Sequence, residues 1–293
     1  LKRSDNTTVQ QAQVLTEDVK PGKQAATLTL ADGRKIFLSD AINGKIAEES
    51  GVQITKDKNG LITYEISDDQ SEPNSTNTLS TSRGETYQVI LPDKSKVWLN
   101  AASSITYSTS LKERGEERRI LLSGEAYFEV AKDRTRPFIV KTNTQEVKVL
   151  GTHFNVNSYE NESTVKTTLI EGSIIVKPTI STNIKAKKLI PGQQADLNKS
   201  SLLIYKADIE SVLAWKNGLF TFNEASVLEV MQQISRWYDI DVEYKGVIPD
   251  EKISGGISRQ SDLKAVLKML ELINIKYQLE NSASGKKIII NPQ

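Results

Sequence analysis

The chain has no cysteine and only one histidine, His153, among its 293 residues. Without thiols there are no disulfides, no thiolate nucleophile and no Cys-ligated zinc. With a single imidazole, His-rich metal sites and any triad needing a second histidine fall away as well. Neither sign of charge is in surplus. Lys+Arg 38 against Asp+Glu 37 leave a formal net charge of +1, which is neither a basic footprint for nucleic acid nor an acidic tail. No run approaches the roughly 18 apolar residues that a membrane-crossing helix needs. Gly-x-x-x-x-Gly-Lys-Ser/Thr, the phosphate loop, and Gly-x-Ser-x-Gly, the nucleophile elbow, are both absent. The chain does not read as an enzyme, and no cofactor is expected.

What is present suffices for packed cores, since 38% of residues are hydrophobic, and the length suits two domains with tails. Residues 1–20 are polar and aperiodic and read as a flexible stalk. The start at Leu1 fits a processed or excised piece with a signal or anchor upstream. Residues 67–83, rich in Ser, Thr, Asn and Asp around Pro73, read as a long surface loop. A hairpin-like unit occurs twice. Thr27 to Leu38 holds two short apolar segments around Asp32-Gly33, and Gln88 to Leu99 holds two around Pro92-Asp93, both strong turn signals.

Between Gly84 and Lys206 short β-branched segments alternate with turn residues. This spacing predicts an antiparallel sandwich or jelly roll. Ala126, Phe128 and Val130 share one strand face, and Glu125, Tyr127 and Glu129 the other. The period then changes from 2 to 3.6. Ser226 and Glu229 have capping-box spacing, followed by Val227, Val230, Met231 and Ile234 on one helical face. A second helix follows a Ser261 cap, with Leu263, Val266, Leu267 and Leu270. Strands flank both helices, and Ile288 to Ile290 adds a last one, giving two β-α-β halves. The fold class expected is therefore mainly β plus α+β. The division runs as a stalk at 1–20, a β-sandwich domain at 21–206 with its 67–83 loop, a linker helix at 207–217 and an α+β domain at 218–293.

Candidate chemistry is thin. His153 lies on a polar strand face beside Asn155 and reads as an ordinary strand residue rather than a ligand. The carboxylate pairs Asp68-Asp69, Glu116-Glu117 and Glu125 with Glu129 suggest a glycosidase only if two acids converge. Residues i and i+4 of a strand lie about 13 Å apart, so a solvated, charge-paired face is the better reading. Trp237 continues the helical stripe and is assigned to the core. Tyr238 and the run Ile288, Ile289, Ile290 are the candidate protein-binding residues, the run as an edge strand open to a partner.

These residues fall into ordered blocks. They include Gly84 to Asp93, Val97-Trp98-Leu99-Asn100-Ala101-Ala102-Ser103-Ser104, Leu122-Ser123-Gly124-Glu125-Ala126-Tyr127-Phe128-Glu129-Val130 and Val149-Leu150-Gly151-Thr152-His153-Phe154-Asn155-Val156. Leu169 to Ser173, Pro191 to Ala195 and Ala214 to Gly218 follow. Together they resemble the FecR family of anti-sigma regulators, in the form found in Bacteroidetes-type bacteria. Lys94 stands where that family has Gly, which implies a different turn at the second hairpin. The resemblance implies a periplasmic region anchored in the inner membrane by an upstream helix, with a cytoplasmic domain that binds an extracytoplasmic-function sigma factor. It implies a C-terminal domain like the short N-terminal domain of secretins and TonB-dependent receptors. That domain would receive the signalling domain of a TonB-dependent outer-membrane transporter, without nucleic acid. The rival readings are a carbohydrate-binding or adhesin-like β-sandwich, which needs an open aromatic strip, and a jelly-roll hydrolase.

Overall fold

The structure, a computed structural model, describes residues 13–14, 18–49, 52–66, 75–109, 111, 117–248, 250–282 and 285–291. Two compact units make up the chain: Gly22–Thr221, and Phe222–Gln293 together with Leu1–Pro21. In chain order, the larger unit is thus inserted between two segments of the smaller one.

The larger unit is a closed β-barrel. The expectation of a mainly β domain holds, and the closure has a local cause. The long strand Arg118–Glu129 turns a corner at Ser123-Gly124. Before it, Arg118 to Leu121 pair parallel with Phe138–Lys141 and Tyr107 to Ser104 run antiparallel alongside. After it, the strand pairs with Lys96–Leu99 and His153–Ser158, both antiparallel. Gly124 makes the corner with φ +84°, and a Cβ there would lie 2.4 Å from Ser103 Oγ and 2.8 Å from the Ala102 carbonyl oxygen. Only glycine satisfies both constraints. A single core fills the barrel, with Phe128, Phe138 and Phe154 at its centre and Phe128 stacked on Phe154 at 5.0 Å.

The two hairpins seen in the sequence are one structure built twice. Thr27–Thr29 pairs with Lys35–Phe37, and Glu85–Ile90 with Lys96–Leu99. In the first turn Leu30 N–H donates to Arg34 O and Gly33 N–H to Leu30 O; in the second Leu91 N–H donates to Ser95 O and Lys94 N–H to Leu91 O. Lys94 has φ +70° where Gly33 has +85°. The turn type is therefore kept, against expectation, and Lys94 absorbs the left-handed strain. The asparagine-like role of aspartate is shared too: Asp32 and Asp93 each accept the backbone N–H two residues on, at 2.9 Å. Asp93 then does more. It meets Arg118 at 2.7 Å with both side chains buried, tying the turn to the long strand.

Past the corner both faces of that strand are largely covered, while Leu121 and Ser123 before it are exposed. Glu125 is not the solvated carboxylate expected. It is buried, accepting from Asn100 Nδ2 at 2.8 Å and Asn155 Nδ2 at 2.9 Å, so its charge is met by hydrogen bonds instead of water. Glu129, half-exposed, faces Lys96 at 3.9 Å, as a charge-paired face requires. The 207–217 segment, expected as a linker helix, does hold a helix and is packed against the barrel. Its helix α1 (Ile209–Leu213) is capped by Asp208, Ala207 N–H bonds Gly192 O, and Ala214 and Trp215 are buried. Of the expected 67–83 loop, Thr76–Thr81 is a barrel strand paired with Ser103–Ser108, and 67–74 lie outside the described residues. So do Asp68, Asp69 and Glu116.

The smaller unit contains strand Leu219–Ser226, helix α2 (Val227–Tyr238), strands Asp241–Tyr244 and Lys252–Ser258, helix α3 (Leu263–Leu272) and strands Lys276–Ser282 and Gly285–Asn291. The two β-α-β halves are as expected. The strand ending at Ser226, shared in chain between the units, pairs with Lys252–Ser258. The capping box forms: Ser226 accepts from Glu229 N–H at 3.3 Å, and Glu229 accepts from Ser226 N–H at 2.9 Å.

Three outcomes follow for the barrel. Gly124→Ala combines positive φ with contact against backbone atoms and lowers stability by about 3 kcal/mol, measurable by denaturant unfolding with an unchanged slope. Lys94→Gly relieves strain and raises stability by about 0.5 kcal/mol, the left-handed penalty less the entropy of glycine. The Tyr64 and Tyr107 hydroxyls bond each other in the core, and burial pushes the Tyr64 phenol up to about 12 and Tyr107 well above its usual value. A phenol raised in the folded state lends stability that is complete below its unfolded value of about 10 and drains away above it. The barrel therefore loses stability between pH 10 and 12, with tyrosinate absorbance rising together with unfolding; titration of all tyrosines at pH 10 in a folded chain would contradict this.

Candidate functional site

The main sheet of the smaller unit has the order Gln13–Val14, Lys276–Ser282, Gly285–Asn291, Asp241–Tyr244. Gly285–Asn291 is thus an inner strand, antiparallel to Lys276–Ser282 on one side and parallel to Asp241–Tyr244 on the other. This corrects the expectation that Ile288, Ile289 and Ile290 form a docking edge: all three are buried. An alternating strand covered on both faces reads as a continuous apolar run, which from sequence alone looks the same as an open edge. The margins of the sheet are Asp241–Tyr244 and the two-residue strand Gln13–Val14.

Tyr238 is corrected likewise. It is 3% exposed, and its hydroxyl donates to Ser261 O at 2.7 Å. Its neighbour Trp237 donates from Nε1 to Arg259 O at 2.8 Å, with the Arg259 guanidinium 4.1 Å from the ring centroid. Adjacent helical residues point about 100° apart, so the end of α2 grips the 259–261 loop at two carbonyls. Burial pushes the Tyr238 phenol up, as expected of a ring held against that loop. The pair therefore fixes the start of α3.

That start is not capped by Ser261. The N-cap is Asp262, which makes no side-chain cap bond. The exposed amides are met instead from the other end of the chain. Leu263 N–H donates to Val19 O at 2.9 Å, and Lys264 N–H to Asp18 Oδ1 at 3.1 Å. Asp18 also accepts from Val19 N–H at 2.8 Å, and Lys20 Nζ reaches Asp262 at 3.0 Å. Val19 is buried. Upstream, Gln13 and Val14 register against Asn281 and Glu280. The expected stalk at 1–20 is thus part of the C-terminal unit at residues 13–14 and 18–20; its other residues lie outside those described. The sequence carries no local sign of this, because a cap supplied across 246 positions leaves no spacing pattern.

The remaining candidates form no reactive site. His153 Nδ1 lies 3.4 Å from Glu171 Oε2, directly across the strand pair, with both side chains partly exposed. Among the described residues no group of three or more His, Asp or Glu is placed to hold a metal ion, and no helix is long and apolar enough to cross a membrane. Trp98 and Tyr127 do form an aromatic pair on the outer barrel face, centroids 5.5 Å apart. Lys216 Nζ sits 4.4 Å and 4.9 Å from their centroids. The ammonium occupies the place where a sugar ring would stack.

Two family models match the chain: FecR protein over residues 77–174, and FecR, C-terminal, over residues 219–290. No curated protein matches it. Among solved structures, a candidate anti-sigma factor from Parabacteroides distasonis ATCC 8503, determined at 1.65 Å and at 2.50 Å, is similar at 30% identity. The similarity covers 74% of this chain and 99% of that one, with a TM-score of 0.65 in both determinations. The two matches fall on the two units described above, one on the corner-turning core of the barrel and the other on nearly the whole β-α-β pair. The chain belongs to the FecR family of anti-sigma factors.

Proposed function

We propose that this chain is the periplasmic part of an inner-membrane regulator that passes a signal from a TonB-dependent outer-membrane transporter to an extracytoplasmic-function sigma factor. It does so by binding protein and performs no catalysis. The transporter's signalling domain meets the C-terminal unit, while the sigma factor is held by a separate cytoplasmic domain of the regulator. The observation that carries this reading is the C-terminal unit itself. It is a compact β-α-β pair matching its own family model, with a sheet whose margins are strands of four and two residues beside inner strands of seven. Short margins leave neighbouring backbone available to an added strand, a mode in which main-chain bonds supply affinity and side chains choose the partner. Binding biases the regulator only insofar as it favours one of its states over another.

Tyr238, Ile288, Ile289 and Ile290 serve this reading as supports. They hold the margins and the start of α3 in place from inside. Against the adhesin-like alternative, the Trp98–Tyr127 pair carries the Lys216 ammonium over its rings instead of standing open.

Titration calorimetry of the full chain with the signalling domain of a cognate transporter gives saturable 1:1 binding at about micromolar affinity. No saturable binding to any cognate domain discards the relay. Tyr238→Phe removes one buried hydrogen bond and lowers stability by about 1 kcal/mol, yet leaves that affinity unchanged. A selective loss of affinity would put Tyr238 back in the interface.

A further inference from the structure

We infer that residues 13–14 and 18–20 form a displaceable latch on the C-terminal unit, and that they occupy the surface an incoming partner uses. The inference rests on the relay reading for the partner's identity, but the latch is defined by this chain alone. Its seat has two parts. One is the outer margin of Lys276–Ser282, where Gln13 and Val14 pair with Asn281 and Glu280. The other is the start of α3, where Val19 O and Asp18 Oδ1 take the N–H groups of Leu263 and Lys264.

The occupant shows what the seat recognises. Gln13 and Val14 pair antiparallel with 276–282, and Asp18 places a carboxylate at the N-terminus of α3. The amides and the helix dipole favour that negative charge. A partner segment fitting here is therefore an extended, acidic-tipped strand, and it and residues 13–20 cannot be bound together. The latch lies immediately before Pro21-Gly22, where the chain enters the barrel. Displacing it turns a strand-paired and helix-capping stretch into free polypeptide. Partner binding at one end of the unit is thereby converted into exposure of backbone elsewhere in the sequence.

The native absence of cysteine makes a clean lock available. Val14 and Glu280 are direct antiparallel partners, and such pairs have Cα atoms about 4.5–5.5 Å apart, within disulfide range. Three forms of the full chain are compared: native, Asp18→Ala, and Asp18→Ala with Val14→Cys and Glu280→Cys, oxidised or reduced. The first readout is amide hydrogen exchange. Asp18→Ala speeds exchange at Leu263 and Lys264 about tenfold, with α3 beyond its first turn unaffected. The second is binding of a fluorescent peptide of the chain's own sequence Gln11 to Lys20. Asp18→Ala binds it saturably, the oxidised triple mutant does not, and reduction restores binding.

Unchanged exchange in Asp18→Ala overturns the latch. So does failure of that variant to bind the peptide at millimolar concentration, or equal peptide binding by the oxidised and reduced forms. The transporter signalling domain is then offered to the locked chain. Binding to the reduced form and at least tenfold weaker binding to the oxidised one supports shared occupancy. Equal binding overturns it and points to the Asp241–Tyr244 margin. Binding to neither form sinks the relay, while exchange and peptide still decide the latch.

Discussion

Polar groups taken out of water must find partners, and in this chain the partners come from far along the sequence. The first amides of α3 are the case on which the C-terminal unit turns. Leu263 is buried at the helix start, and leaving its N–H unmet costs about 1–3 kcal/mol, while the exposed Lys264 loses less. Asp262, the local residue, does not supply the bond. Val19 and Asp18 do, and so a segment preceding the barrel becomes a structural member of the unit following it. The loop that presents those amides is held in turn by Trp237 and Tyr238. The chain of dependence runs from α2, through 259–261, to α3 and residues 18–20.

The same constraint explains what the conserved-looking blocks of the barrel are for. Asn100, Glu125 and Asn155 lie in three separate blocks, and in the structure the two amides close on one buried carboxylate. Gly124 allows the corner that puts Glu125 there, and Ser103 fills the inside of the bend, its hydroxyl accepting from Glu125 N–H at 2.9 Å. Asp93, at the end of a further block, is tied to Arg118 on the long strand through a buried ion pair. Their chemistry is spent on holding a β-barrel closed.

This division also marks what could be read in the sequence and what could not. Periodicity revealed both helices, both β-α-β halves and the repeated hairpin, because each depends on spacing within about a dozen residues. The repeat even extends to the hydrogen bonds of the turn, where Lys94 takes the conformation of Gly33 despite the side chain it carries. The misreadings share one cause. Glu125 looked solvated, Tyr238 exposed, Ile288 to Ile290 marginal and residues 1–20 loose. Each depends on which distant segment lies alongside, and alternation tells only which residues share a face. Tyr238 followed the apolar stripe by one position, a clue that the helix end was enclosed on two sides.

The strength of the N-terminal contact suits a reversible element. Its described parts are two cap hydrogen bonds, a two-residue strand pairing and an exposed Lys20–Asp262 pair. The surface ion pair contributes little. The hydrogen bonds contribute about 1 kcal/mol each after exchange with water, and burial of Val19 adds about 1–2 kcal/mol. A total of about 3–5 kcal/mol keeps the segment in place in all but roughly one molecule in several hundred or more, at about 1.4 kcal/mol per decade. A partner interface of ordinary size supplies more than that, so a strand that makes the same bonds and adds side-chain contacts can take the seat. The barrel is held differently. Its core is continuous and its polar groups are enclosed, so opening it means unfolding it. The segment before the barrel can therefore leave the unit after it at far less cost than opening the barrel itself.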